Sequence, residues 1–244
     1  MQKLIVSGCS WTAKVCLPNE RTWPHLLADK LEMQCINLGA IAAGNEYIFS
    51  SILDELVREK RHSKIGLVMA MWSEWTRWDF EQFKKNRTEP KRWNHLNSHS
   101  NRQGKSVKPE LAKSKFTPWG RSLRYIYMFQ KLLEQTDIPY MHVQGIRTNW
   151  VMPSERMLYS EIGKDFTKNI YSDKINENKF IGWPPFPELG GMYMDLHLHQ
   201  LDPTEKNLYL PRELLDPGAH PNEEGHKVIA DYLYKKIEEE YGNL

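Results

Sequence analysis

From Ile65 to Met71 the chain reads IGLVMAM, with no polar position to mark a wet face. A strand of this kind is covered on both sides, which points to a parallel sheet between helices, since antiparallel sheets commonly leave one face in water. The rest of the pattern agrees. Short apolar strands at 3–6, 34–38 and 138–143 alternate with helical spacings. One helix starts at Thr22-Trp23-Pro24, with Pro in its first turn, and carries Leu26, Leu27 and Leu31. A second, over 45–60, puts Ile48, Ile52, Leu53 and Leu56 on one face; a third, over 122–135, carries Leu123, Ile126, Tyr127, Gln130 and Leu133. The last begins near Pro221 and carries Val228, Ile229, Leu233 and Ile237. The expectation is one α/β domain over 1–244, a three-layer α/β/α sandwich around a central parallel sheet.

Two stretches exceed a minimal core of this type: 78–119, and 144–215 with its Gly182-Trp183-Pro184-Pro185-Phe186-Pro187 run. Connections of such length usually carry function or are disordered. The net charge of +2 hides an asymmetry, because residues 84–115 hold ten Lys and Arg against two acids, net +8, leaving −6 for the remainder. A solvated surface loop is the first reading of that segment, and contact with phosphates or anionic glycans the second. No apolar run approaches the roughly 18 residues of a membrane span. Met1-Gln2-Lys3 leads straight into Leu4-Ile5-Val6, too short for a signal-peptide core. Cys9, Cys16 and Cys35 are odd in number and lack CxxC spacing, which argues for a reducing compartment rather than a disulfide scaffold or a cysteine zinc site. There is no Walker or dinucleotide-type glycine loop. His197 and His199 have the spacing of a metal pair on a strand but lack a third ligand, so surface histidines are the reading and no cofactor is expected.

Ligands of parallel α/β sheets bind beyond the carboxyl ends of the strands. That rule selects Ser10 after the first strand, the 39–45 turn after the second, Trp72-Ser73 after the third, and Asp216 to His220 before the last helix. These places resemble the ordered blocks of the SGNH, or GDSL-type, hydrolases. Val6-Ser7-Gly8-Cys9-Ser10-Trp11-Thr12 stands where that family has Gly-Asp-Ser. Asn37-Leu38-Gly39-Ala40-Ile41-Ala42-Ala43-Gly44-Asn45 is similar to its glycine block. Asp216-Pro217-Gly218-Ala219-His220-Pro221, with Gly225, precedes the final helix as in the family. The resemblance covers nearly the whole chain and implies a flavodoxin-like layering.

It also implies roles. Ser10 would be the nucleophile, His220 its general base and Asp216 the group orienting the imidazole; a serine hydroxyl attacks poorly unless a base removes its proton. The backbone N–H groups of Ser10 and Gly44 would hold the oxyanion, helped by a side-chain amide. His226, inside the last helix, competes with His220 but reads as a packed or surface residue.

Three departures stand out. Cys9 replaces the family's Asp; side chains alternate at a strand end, so Cys9 and Ser10 face opposite ways and Ser10 ranks ahead as nucleophile. Asp216 lies four residues before His220 rather than three, so Pro217-Gly218 absorbs the extra residue, or a backbone carbonyl, Asp195 or Asp202 takes the orienting role. Where the family has Gly-x-Asn-Asp, this chain has Met71-Trp72-Ser73-Glu74-Trp75-Thr76-Arg77. Ser73 or the Asn45 amide would then supply the missing donor, with Glu74 turned outward and Arg77 pairing with it or with substrate.

The reaction expected is serine-dependent ester hydrolysis through an acyl-enzyme. Trp72, Trp75 and the Trp183–Phe186 loop would wall the site, and Arg77 would contact substrate. Aromatic walls suit sugar rings, so an O-acetylated carbohydrate is the substrate class expected. The Trp72-Ser73-x-x-x-Arg77 turn resembles SGNH-like proteins of tailed bacteriophages, which implies a virion-associated location; with no signal peptide or membrane span in view, a cytoplasmic one is the other expectation. Association with a virion or with other copies of the chain is the wider partner expectation; a membrane is not, and nucleic acid contacted through 84–115 ranks last. The rival class is a binding or structural protein that keeps the fold without the chemistry.

Overall fold

The computed structural model describes residues 1–13, 21–59, 64–75, 77–82, 92–96, 119–148, 166–201, 213–242 and 244. Most of the basic 84–115 segment, Cys16 and Asp202 lie outside these residues.

A five-stranded sheet has the order β2-β1-β3-β6-β7, formed by β1 (Lys3–Ser7), β2 (Gln34–Asn37), β3 (Ile65–Trp72), β6 (Tyr140–Gln144) and β7 (Phe180–Ile181). All its pairings are parallel. All eight residues of β3 are buried, as a strand central to a covered sheet requires. The helices are α1 (Trp23–Lys30), α2 (Asn45–Arg58), α3 (Trp119–Glu134), α4 (Met194–Leu201) and α5 (Glu223–Tyr241).

Strand order decides which face each helix takes. The step from β1 to β2 runs toward one edge, and the steps from β2 to β3 and β3 to β6 run toward the other. Right-handed crossovers therefore place α1 on one face and α2 with α3 on the opposite one. The packing agrees, with α1 against α5 and α2 against α3. The direction reverses between β1 and β3, so their carboxyl ends open the crevice where ligands of such sheets bind.

The core includes Leu4, Ile5 and Val6 of β1, Ile48, Ile52 and Leu56 of α2, and Leu123, Ile126, Phe129 and Leu133 of α3. Gln130, expected on the apolar face of α3, is buried there because its amide serves the chain beyond β6, accepting from Asn176 N–H and donating to the Lys174 carbonyl.

Both long stretches contain regular structure. Part of 144–215 adds β7 to the sheet and contributes α4. The 78–119 stretch forms a separate antiparallel pair, β4 (Trp78–Gln82) and β5 (Arg92–Leu96). His197 and His199 lie on helix α4, not on a strand, and two positions apart on a helix do not share a face. Among the described residues no group of three or more His, Cys, Asp or Glu is placed to hold a metal ion, and no helix is long and apolar enough to cross a membrane.

Candidate active site

The turn after β1 carries Ser10. The N–H groups of Thr12 and Ala13 both donate to the Cys9 carbonyl at 2.9 Å, closing the turn. Gly8 is required there, since a Cβ would stand 2.1 Å from Thr12 Oγ1. Asn37, at the end of β2, clamps the turn from outside: Nδ2 donates to the Thr12 carbonyl at 2.8 Å, and Oδ1 accepts the Gly39 N–H at 2.9 Å. Ser10 is 9% exposed, and its Oγ lies 3.0 Å from His220 Nε2, across 210 residues of sequence.

His220 sits in a loop that Asp216 braces. Asp216 Oδ1 accepts the N–H groups of Gly218 at 2.8 Å and His220 at 2.9 Å, and the Asp216 N–H donates to the His220 carbonyl. His220 Nδ1 is 3.9 Å from the same Oδ1. That is ion-pair range for an imidazolium and too long for a hydrogen bond. At this four-residue spacing the carboxylate holds the loop backbone and faces the ring only through space. Asp216→Asn, which keeps an oxygen acceptor for both N–H groups, is expected to cost about tenfold in kcat through the lost charge alone. Asp216→Ala loses the brace as well and is expected to cost about a hundredfold or more. Comparing kcat of the two variants measures the difference.

Asp195, the alternative orienting acid, is held by Arg147, with Nε to Oδ2 at 3.3 Å. Burial pushes its carboxyl up to about 6, against the opposing pull of Arg147.

The groups expected to bind the oxyanion are mostly committed elsewhere. The Gly44 N–H donates to Asp79 Oδ1 at 2.8 Å, and the Tyr47 N–H donates to Oδ2 at 2.9 Å. Asp79, on β4, thus caps the start of α2, where Gly44 has no side chain to do so. Asn45 Nδ2 donates to Ser122 Oγ at 3.0 Å, while its Oδ1 accepts the Ser73 N–H at 2.9 Å. The Ser73 hydroxyl donates to the Ala43 carbonyl at 2.8 Å. The Ser10 N–H, in contrast, has no acceptor among the described residues.

Glu74, expected to turn outward, is fully buried. Its Oε2 pairs with Arg77 Nε at 2.8 Å, the first of the two partners expected for Arg77, substrate being the other; Arg77 also donates to the Ala43 carbonyl at 3.2 Å. Burial presses the guanidinium down, but Cys9 and Glu74 outweigh it and hold Arg77 above its ordinary value. Cys9 is fully buried next to this pair.

The aromatic wall is not where the sequence placed it. Trp72 and Trp75 are fully buried. Trp72 Nε1 donates to His142 Nδ1 at 3.0 Å, and Trp75 packs against Phe166 and Phe186. Trp183 packs on Phe166 and Phe180 and lines a different pocket, shared with Tyr232 and Lys236. Neither Trp72 nor Trp75 offers a face to a ligand, because Phe129 and His142 cover Trp72 and Phe166 and Phe186 cover Trp75.

Sequence reasoning missed Asp79, whose partners lie 35 and 32 residues earlier and which carries no local signal. Asn37 left one, an Asx turn onto Gly39. His226 is packed, 2% exposed, and accepts the Trp23 N–H through Nδ1 at 3.2 Å. Burial first, then the neighbouring His220 and His25, push it down to about 4, so the ring is neutral.

No family model and no curated protein matches the chain. Solved structures do. A protein assigned to the G-D-S-L lipolytic family from Desulfitobacterium hafniense aligns with a TM-score of 0.53 at 14% identity, over 97% of this chain and 99% of the other. The psychrotrophic esterase EstA from Pseudoalteromonas aligns at 0.54 and 14%, covering 98% of each. TesA aligns at 0.55 and 11%, over 98% and 99%. The chain has the α/β/α fold of the G-D-S-L, or SGNH, lipolytic proteins.

Proposed function

We propose that this chain is a serine-dependent ester hydrolase. The observation that carries the reading is the 3.0 Å contact between Ser10 Oγ and His220 Nε2, made between the two residues that the ordered blocks single out, at the crevice of this fold. In the reaction, the Ser10 proton passes to Nε2 as Oγ attacks the ester carbonyl. Collapse of the tetrahedral intermediate returns that proton to the departing alcohol and leaves Ser10 acylated. Water then loses a proton to His220 and releases the acid. The Ser10 N–H supplies a preorganised donor to the oxyanion, and the Asp216 carboxylate at 3.9 Å stabilises the imidazolium.

The substrate proposed is a short acyl ester of a polar alcohol, an O-acetylated carbohydrate being the preferred case. Support comes from the scale of the site rather than from aromatic walls. Ser10 is nine-tenths covered, which suits a small acyl group. A pocket of about 410 Å³ opens beside the nucleophile turn, lined by Ala13, His25, Asn37, Gly39, Ala40 and Ile41, and its small and polar walls suit a hydroxylated alcohol. The test is hydrolysis of p-nitrophenyl acetate beside the octanoate ester, and of acetylated against unsubstituted glycans. Turnover of the acetyl esters alone is the expected result; equal turnover of octanoate contradicts the acyl assignment.

The rival, a non-catalytic binding or virion protein on the same fold, draws on one observation: Gly44, Asn45 and Ser73 already spend their donors inside the protein. A chain that neither turns over these esters nor reacts at Ser10 supports it.

A further inference from the structure

His226 has no part in the chemistry above, yet its hydrogen bond is unusually placed. Trp23 is the first residue of α1, so its N–H is one of the donors that a helix start leaves without an intrahelical partner. The acceptor comes from α5, 203 residues away: His226 Nδ1 at 3.2 Å. The residue before Trp23 makes a second link. Thr22 Oγ1 donates to the Thr12 carbonyl at 3.1 Å, and Thr12 closes the turn that carries Ser10. Six residues before His226 stands His220.

We infer that His226 is a positioning residue for the Ser10–His220 pair, its Nδ1 bond to the Trp23 N–H locking α5 to α1, and α1 through Thr22 to the nucleophile turn. The inference rests on the proposed reading of that pair. Nucleophile and base come from opposite ends of the chain: the first follows β1 directly, whereas the second stands before α5, whose hydrogen bonds to the sheet, between Tyr241 and Tyr140 of β6, lie at the far end of the helix. Helix α5 packs chiefly on α1, so the place of His220 relative to Ser10 is inherited from how α5 sits on α1. Apolar helix packing resists separation but leaves small slides cheap, whereas a buried directional bond fixes register. A displacement of about 1 Å would take Oγ and Nε2 out of bonding range and is of the size that costs about a hundredfold in rate. His226 cannot replace His220 as base, since its ring is 2% exposed and Nδ1 is occupied.

Two substitutions separate acceptor from bulk. His226→Leu keeps an apolar side chain and removes the acceptor; it is expected to lose about a hundredfold in kcat with KM within about twofold. His226→Asn places Oδ1 near the former Nδ1 and is expected to keep kcat within about threefold. Crystal structures give a readout that needs no turnover: Ser10 Oγ to His220 Nε2 beyond about 4 Å in the Leu variant and near about 3 Å in the Asn variant. Wild-type kcat or an unchanged separation in His226→Leu overturns the inference, as does an Asn variant as impaired as the Leu one. Should His226→Leu fail to fold, Thr22→Val cuts the same bridge at its other end; a kcat loss is then the expected result and a wild-type kcat overturns the tether. A wild-type chain that hydrolyses no ester removes the proposed function alone, because the separations in the variants still decide the tether.

Discussion

Ser10→Ala and His220→Ala are each expected to lower ester turnover by about 10⁴- to 10⁶-fold, and the double variant by no more than either alone. Members of a nucleophile–base pair act as a unit, so removing the second costs little once the first is gone. Here they meet at 3.0 Å. Neither change disturbs the clamp on the turn, which Asn37 and Thr22 make to the Thr12 backbone carbonyl. Melting temperature should therefore stay near wild type while turnover collapses. Additive losses in the double variant would show that the two residues act separately.

The largest effect on stability is expected at Arg77. The Glu74 carboxylate is fully buried, with Oε2 on Arg77 and Oε1 lacking a partner among the described residues. Arg77→Met would leave a buried carboxylate uncompensated, at a cost of about 3–5 kcal/mol. For a chain of this length that lowers Tm by about 10 °C. Replacing both residues, Arg77→Met with Glu74→Met, removes the stranded charge and should recover most of the loss, since apolar groups of similar volume commonly substitute for a buried pair. A thermal melt of the three proteins decides it: a double variant no better than the single one would show that the pair does more than neutralise itself.

Much of this architecture was legible in short sequence windows. The doubly apolar run at 65–71 is β3, buried along its full length, and the helical spacings at 45–60 and 122–135 became α2 and α3. Ser10 and His220 were singled out by the carboxyl-end rule and by the order of blocks that resemble the SGNH hydrolases, since each block alone is short and weak; the fold brings the two side chains to 3.0 Å. Two kinds of information were not available locally. Trp72 looked like a site wall because it ends β3, but whether a strand-end tryptophan faces solvent depends on what covers it. Here the cover is Phe129, edge-on, and His142, stacked on the indole, and for Trp75 it is Phe166 and Phe186, both far later in the chain. Asp79 and Glu74 illustrate the other limit. A carboxylate in sequence is compatible with an exposed face, a helix cap or a buried ion pair, and only long-range partners choose. Asp79 became the cap of α2 and took the Gly44 N–H with it.

The Asp216 side chain serves the backbone of its own loop before the His220 ring. Its Oδ1 is used twice on the loop backbone before it reaches the ring, so the loop is rigid while the imidazole is steered by charge alone. Loop rigidity matters because Ala219 sits at φ 59, in the left-handed region, where a side-chain brace offsets conformational cost.

The central claim is that Ser10 is a nucleophile activated by His220. Incubation with a fluorophosphonate, followed by mapping of the modified residue, tests it most directly. A single adduct on Ser10, absent in His220→Ala, is the result expected; no adduct in the folded wild-type protein, or one on another residue, would contradict the account.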